Sequence, residues 1–239
     1  MLNGLYNSTA GGIVQSARQE IIANNLANVN TTGFRRQIAI FSRRPPESQE
    51  RDTFGMNLNP LLEKIDGGVY LSQAATVHES GPLERTDGDY DFAISGDGFF
   101  VCEDANGNRF YTRAGHFQPN RSFELTTPDG KYFLLDSNGR RVKSLGRDDV
   151  HLEAVKPVTF EDLDRMRRSG ENMFTCDAEP VAANGEVWRG YLEGSNVSPI
   201  VELISMIEGF RVYEANMQAI KSQDRTYGRA VNDVGRVNR

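Results

Sequence analysis

Residues 198–237 read SPIVELISMIEGFRVYEANMQAIKSQDRTYGRAVNDVGRV. Leu203, Ile207, Phe210, Tyr213, Met217, Ile220, Tyr227, Val231 and Val234 recur there at steps of three and four, with Asp224 the one polar interruption. That is the period of one face of a helix. No proline follows Pro199, so the stretch predicts a single helix of roughly 50 Å or more, at about 1.5 Å rise per residue. A lone helix of that length cannot hide its apolar stripe and needs a partner.

The other end of the chain offers one. Leu2, Leu5, Thr9, Ile13, Ala17 and Ile21 step in the same way, and the pattern runs to Asn24 and Ala27 before Thr31-Thr32-Gly33 stops it with a C-terminal glycine signal. Two readings of this pair stand side by side: terminal helices that close an ordinary domain, or a coiled coil whose outer faces bind further copies of the chain. Thr9, Gly12, Ser16 and Ala17 are small or polar seam residues, which favour close multi-helix packing over a strong independent dimer.

Between the helices the texture changes. Residues 34–41 fit either period and are taken as an extended segment; residues 42–66, rich in Pro, Arg, Glu, Asn and Asp, read as a surface loop or flexible connection. From Gly67 to Trp188 short apolar runs alternate with turns. Gly98-Phe99-Phe100-Val101 and Phe110-Tyr111-Thr112 flank Asn106-Gly107, a strong hairpin signal, and Asp129-Gly130 and Asn138-Gly139 punctuate the runs after them. Residues 160–168 look like a short helical turn or two, and Phe174-Thr175-Cys176 and Val187-Trp188 return the chain to a sheet. The expected fold class is therefore α+β. A helix over 1–33 and a helix over 191–239 pair as a coiled coil, 34–66 connect, and 67–190 form a central antiparallel β domain.

A net charge of −6 on 239 residues argues against sequence-independent nucleic-acid binding, and the clusters Arg35-Arg36, Arg43-Arg44 and 140–143 read as solvated surface. Cys102 and Cys176 are either a single disulfide or two free thiols. No apolar run approaches the length of a membrane span, and the first 30 residues lack the basic start, apolar core and cleavage site of a Sec-type signal. The chain either stays inside the cell or leaves by a route that uses no such signal.

The sequence lacks the common enzymatic motifs, while its scattered carboxylates leave a glycosidase-like pair open. Asp87, Asp89 and Asp91 alternate like a calcium loop, but Phe92 replaces the required Gly and Gly98 the required Glu. His78, His116 and His151 have no zinc spacing, and Gly96-Asp97-Gly98 lacks the third glycine of a dinucleotide loop, so it reads as a turn entering a strand. No nucleophile elbow or phosphate loop occurs. The expectation is a protein that is not an enzyme and uses no metal or cofactor. A competing reading is a β-rich module on a helical stalk that binds a glycan or surface, with Tyr90, Phe99, Tyr111 and Trp188 as stacking aromatics.

Three stretches together carry a resemblance. Residues 24–34, NNLANVNTTGF, resemble the N-terminal signature of bacterial flagellar rod and hook proteins; ISGDGFFV at 94–101 with YTRAGHF at 111–117 resembles their central β motif; and YLEGSNV at 191–197, then Met206-Ile207 and RVYEAN at 211–216, resembles their C-terminal signature. The resemblance implies a structural subunit of the axial rod, the drive shaft of the flagellar basal body. It implies assembly with copies of itself and with other rod and hook-side proteins, export by the flagellar type III apparatus, and no membrane insertion. It also implies that the terminal helices pair as an inner tube domain under an outer β layer. Asp224–Ala230, Ser198-Pro199 and the modest length look more like the proximal-rod F-type proteins than the distal-rod G-type. Between Gly139 and Phe160 the chain is shorter than the family's middle domain, with Arg147-Asp148-Asp149 where further strands are expected.

Asparagine is a mediocre helix former whose side chain bonds backbone groups, so Asn24, Asn25, Asn28 and Asn30 are suited both to end a helix and to satisfy buried polar groups between subunits. Gly33 supplies a left-handed exit, and Asn196 or Ser198 a helix cap. The expected subunit interface comprises Leu5, Ile13, Ala17, Ile21, Asn24, Asn25, Leu26, Asn28, Gly33 and Phe34 from the first signature. From the last it takes Glu193, Gly194, Ser195, Asn196, Val197, Leu203, Ile207, Phe210, Tyr213, Met217 and Ile220.

Overall fold

In the computed structural model the described residues are 2–43, 69–144, 155–170 and 172–234. They divide into two compact units: a helical unit built from residues 1–26, 37–75 and 199–239, and a β unit built from 27–36 and 76–198.

The helical unit contains α1, Leu2–Ala27, and α2, Pro199–Val234, which has 36 residues. Pro199 stands at the first helical position, where its missing N–H is no loss and its fixed φ suits the helix. Two strands complete the unit. The segment after Gly33 is extended, as expected, and forms β1 (Gln37–Arg43), which pairs with β2 (Val69–Thr76). Most of the expected flexible connection lies outside the described residues.

The helices meet largely through glycine and amide positions, with the stripe residue Tyr213 beside Gly12, where a Cβ would lie 4.0 Å from its ring. Gln19 Nε2 on α1 donates to the Met206 carbonyl on α2 at 2.9 Å, and Asn25 Nδ2 donates to the Glu202 carboxylate at 3.4 Å. A side chain at Gly209 would place its Cβ 2.1 Å from Gln19 Nε2, and one at Gly11 would lie 3.1 Å from Asn216 Nδ2. The facing surfaces thus carry glycine, amide and carboxylate groups beside Tyr213. Close approach at these glycines turns the bulky side chains outward: Ile13, Leu203, Ile207 and Phe210 are all exposed, and Tyr213 is just over a third exposed. Ala17, Ile21, Met217 and Ile220 are half-buried. Much of the expected seam on α2 is thus open to solvent rather than enclosed between the two helices.

The β unit is built on a sheet with strand order β11-β12-β6-β5-β9-β8-β7, antiparallel throughout. The strands run β3 Leu83–Arg85, β4 Phe92–Ser95, β5 Phe100–Glu103, β6 Arg109–Thr112, β7 Gln118–Pro119, β8 Leu125–Thr126, β9 Phe133–Leu134 and β10 Val158–Thr159. They continue with β11 Arg167–Arg168, β12 Met173–Thr175, β13 Val181–Ala182, β14 Glu186–Arg189 and β15 Tyr191–Glu193. β5 and β6 form the expected hairpin, its turn held by Asp104 Oδ1, which accepts the N–H groups of Asn106 and Asn108. Residues 160–168 contain only a 3₁₀ turn, Leu163–Arg165, before β11. Val187 and Trp188 pair with β4 in a separate ladder, and β15 pairs with β3. The region around 147–149, where the family resemblance expects more strands, lies outside the described residues.

Alternation along β5 splits the core in two. Phe100 and Cys102 pack with Phe92, Ile94, Phe117, Leu125 and Leu134. Phe99 and Val101 point the other way and join Tyr111, Phe160, Met166 and Phe174. A strand buried on both faces needs this near-continuous apolar run, which is why residues 98–102 do not show the alternation of a half-exposed strand.

Candidate assembly interface

The three signature stretches converge in the β unit on one carboxylate. Glu193, at the end of β15, has no exposed side-chain surface; its Oε1 lies 2.7 Å from Arg35 Nη1 and its Oε2 lies 3.1 Å from Arg113 Nη1. The Gly81 N–H also donates to Oε1 at 2.9 Å, and the Gly33 N–H donates to the Glu193 backbone carbonyl at 2.7 Å. Arg113 spends its remaining reach on the carbonyls of Ile94 and Gly96 and lies over the Phe99 ring, 5.4 Å from its centroid. Arg35 donates to the Glu79 carbonyl as well. Desolvation lowers both arginine pKa values, and the Glu193 charge opposes that effect in each. Gly33 is required twice over, because its φ is +66° and a Cβ there would fall 2.3 Å from the Ala114 nitrogen.

Arg35 is therefore not the solvated surface residue its neighbourhood of charges suggested: it is fully buried. Arg113 was not singled out at all. The available signal was position, since each arginine stands beside an apolar or glycine-rich signature that has to be buried, and Glu193 is the single carboxylate of the YLEGSNV stretch. Burying any of these charges without its partner is costly, so the three have to come together.

The expected interface residues sort into two groups. Asn25, Gly33, Phe34, Glu193, Ser195 and Val197 are buried within the single chain. Asn25 reads both backbone groups of Gln37, accepting its N–H at 2.9 Å and donating to its carbonyl at 2.8 Å, in addition to its bond to Glu202. The Asn28 carboxamide accepts from the Thr31 hydroxyl at 3.2 Å. Asn196 is not a free helix cap, because its amide is committed to Arg36, Val77 and Glu79. Leu26, Asn28, Gly194 and Asn196 are half-buried, Asn24 is exposed, and the Leu5 side chain lies outside the described residues. The second group, open to solvent, is Ile13 with Leu203, Ile207, Phe210 and Tyr213, and they are joined by Ile200 and Ile204, which the sequence reading left out. On a helix, Ile200, Leu203, Ile204, Ile207 and Phe210 share one face.

The remaining candidates for chemistry are used structurally. Asp91 accepts from Thr86 Oγ1 and pairs with His116 Nδ1, both at 2.6 Å, while Asp87 pairs with exposed Arg85. Among the described residues no group of His, Cys, Asp or Glu is arranged to hold a metal ion. His78 is packed against Phe99 and Phe174, and burial, seconded by the Arg35 charge, lowers its pKa so that it is neutral at pH 7. Both cysteines are free thiols, and burial pushes Cys102 up to about 12. Of the aromatics considered for sugar stacking, Phe99 and Tyr111 are core and Tyr90 packs against core, leaving only Trp188 substantially exposed. No described helix is long and apolar enough to cross a membrane.

Comparison with known proteins follows the same three stretches. Residues 5–35 match the flagella basal body rod protein family, 93–154 the D1 domain of the flagellar hook protein FlgE/F/G family, and 189–233 the C-terminal region of the flagellar basal body rod FlgEFG proteins. The chain is 30% identical over 254 residues to the flagellar basal-body rod protein FlgF of Caulobacter vibrioides, covering 100% of both. It is also 30% identical over 252 residues to FlgG of Buchnera aphidicola, covering 94% of this chain and 96% of that one. With FlgG of Bacillus subtilis it shares 29% over 263 residues, covering 97% and 99%. Family models at both ends and in the middle of the chain, with relatives that align over nearly its whole length, give one conclusion: the chain belongs to the flagellar basal-body rod protein family and is a structural subunit of the rod.

Proposed function

We propose that copies of this chain join one another, and neighbouring rod and hook-side proteins, through the outward apolar face of α2 together with Ile13 of α1. The observation that supports this reading is the exposure of Ile204, Ile207 and Phe210, each more than half open to solvent. Full burial of an exposed side chain of this kind is worth about 1.5–3 kcal/mol, and these five, being roughly half exposed, would each gain about half of that, which across the face is still a substantial drive for association. The buried members of the expected interface act indirectly in this reading, by fixing the segments that lead into the helices. The subunit takes the proximal, F-type place in the rod and reaches it through the flagellar type III apparatus; the C-terminal sequence Asp224–Ala230 and Ser198-Pro199 favour that place.

The test is Ile207→Asp, which puts a charge in the middle of the exposed face. The variant is expected to be absent from purified hook–basal bodies while its β unit melts as in the parent protein. Incorporation at the normal level would refute the helical contact.

A further inference from the structure

The polypeptide passes between its two units four times, after residues 26, 36, 75 and 198. On the β-unit side, three of those crossings are gathered by one side chain. Asn196 Oδ1 accepts the Arg36 N–H at 2.6 Å, and Asn196 Nδ2 donates to the carbonyls of Val77 at 3.0 Å and Glu79 at 2.9 Å. Both amide protons and an acceptor lone pair are thereby used. Two backbone bonds complete the stitching: the Val77 N–H donates to the Arg36 carbonyl at 2.8 Å and the Asn196 N–H to the Phe34 carbonyl at 3.3 Å.

A single extended tether transmits little twist, because each residue in it has two soft dihedral angles. Strands held side by side can turn only together. We propose that Asn196 is a positioning residue that binds the crossings at 34–36, 76–79 and 196–198 into one bundle, so that twisting force entering the β unit is shared among them. This rests on the rod reading for its mechanical meaning but not for its geometry. Asparagine suits the position better than its neighbours in chemistry. Aspartate keeps the bond from Arg36 and loses both donated bonds, and alanine loses all three. Asn196 is only half-buried, and neither core cluster includes it, so its replacement leaves the packing of the sheet in place.

Hydrogen exchange on the purified full chain tests the bundle directly. In Asn196→Ala the amides of Arg36 and Val77 are expected to exchange together, each about tenfold faster, as the loss of a net hydrogen bond predicts. The sheet amides of Cys102 and Phe110 keep their rates and report that the β unit is folded. Acceleration at Arg36 with an unchanged rate at Val77 would mean that the crossings are independent and would overturn the proposal. In Asn196→Asp, Arg36 stays protected while Val77 loosens; parental rates at both would overturn it equally. In cells, the Asn196→Ala protein is expected in purified hook–basal bodies at the parental level, with loss of swimming in viscous medium. Swimming at the parental speed there would remove the mechanical role, whereas absence from the basal bodies would count against the assembly reading instead.

Discussion

Phe34, Phe100 and Leu134 in the β unit have no exposed surface, and the carboxylate buried there, Glu193, is matched by two guanidinium groups. In the helical unit, Ile204, Ile207 and Phe210 keep more than half their surface in water. The β unit buries most of its bulky aromatics and pairs Glu193 within the chain, leaving Phe123, Val181 and Trp188 exposed as single residues on separate segments. The helical unit instead gathers its exposed apolar side chains on one helical face, and this difference separates a part that folds by itself from a part whose stability depends on neighbours.

The most severe way to break that contrast is to unbalance the β unit. Glu193→Ala leaves Arg35 and Arg113 buried with no counter-charge, and the expected cost is about 3–5 kcal/mol in a urea melt of the purified protein. A loss below about 1 kcal/mol would mean that water reaches the guanidinium groups, and that the knot is not the closed interior described here.

A second measurement uses Cys102. Its thiol stays protonated in the native protein up to about 12 because it is buried, whereas in the unfolded chain it loses its proton near pH 8.5. Above that value the native state holds a proton that the unfolded state has lost, so stability falls as pH rises from about 8.5 toward 12 and is unaffected by this group below. Burial raises the Tyr111 pKa too, but from an ordinary value near 10. The slope between about pH 9 and 10 therefore belongs mainly to the thiol. Cys102→Ala is expected to flatten that slope, although the smaller side chain lowers stability at every pH.

Ile207→Asp is expected to do the reverse of Glu193→Ala. On an exposed helical face, stability of the isolated chain should change by no more than about 0.5 kcal/mol, while assembly is lost. Together the two variants give a double dissociation between folding and association, and a variant that fails both tests would erase the contrast.

What the sequence revealed follows the same division. The helices, the hairpin at Asn106-Gly107 and the turn at Gly96-Asp97-Gly98 were legible because period and turn chemistry are local properties. The direction of the α2 stripe was not. Periodicity shows that Leu203, Ile207 and Phe210 share a face, but which body covers that face depends on how closely the other faces approach. Here Gly11 and Gly209, with Gln19, decide it. Nor was the Arg35–Glu193–Arg113 cluster legible, since charges separated by 80 residues or more give no periodic signal, and an arginine in a run of arginines looks solvated.

The smallest expected effect probes the contact that turned the stripe outward. Replacing Gly209 with alanine in the middle of a helix favours folding by about 1 kcal/mol. The new Cβ would lie 2.1 Å from Gln19 Nε2, the end of a flexible side chain, so Gln19 must swing away and give up its bond to the Met206 carbonyl. That bond is worth about 0.5–1.5 kcal/mol net, so the two effects nearly cancel and the single variant should melt within about 1 kcal/mol of the parent. The cancellation is itself testable. Gln19→Ala alone loses the bond and gains little, whereas in Gln19→Ala with Gly209→Ala the alanine at 209 meets no amide and its helical preference is felt in full. The double variant should therefore be more stable than the sum of the single changes predicts, a non-additivity that only residues in direct contact produce. Strict additivity would mean that the two helices do not approach at this glycine, and the outward-facing stripe would then need another cause.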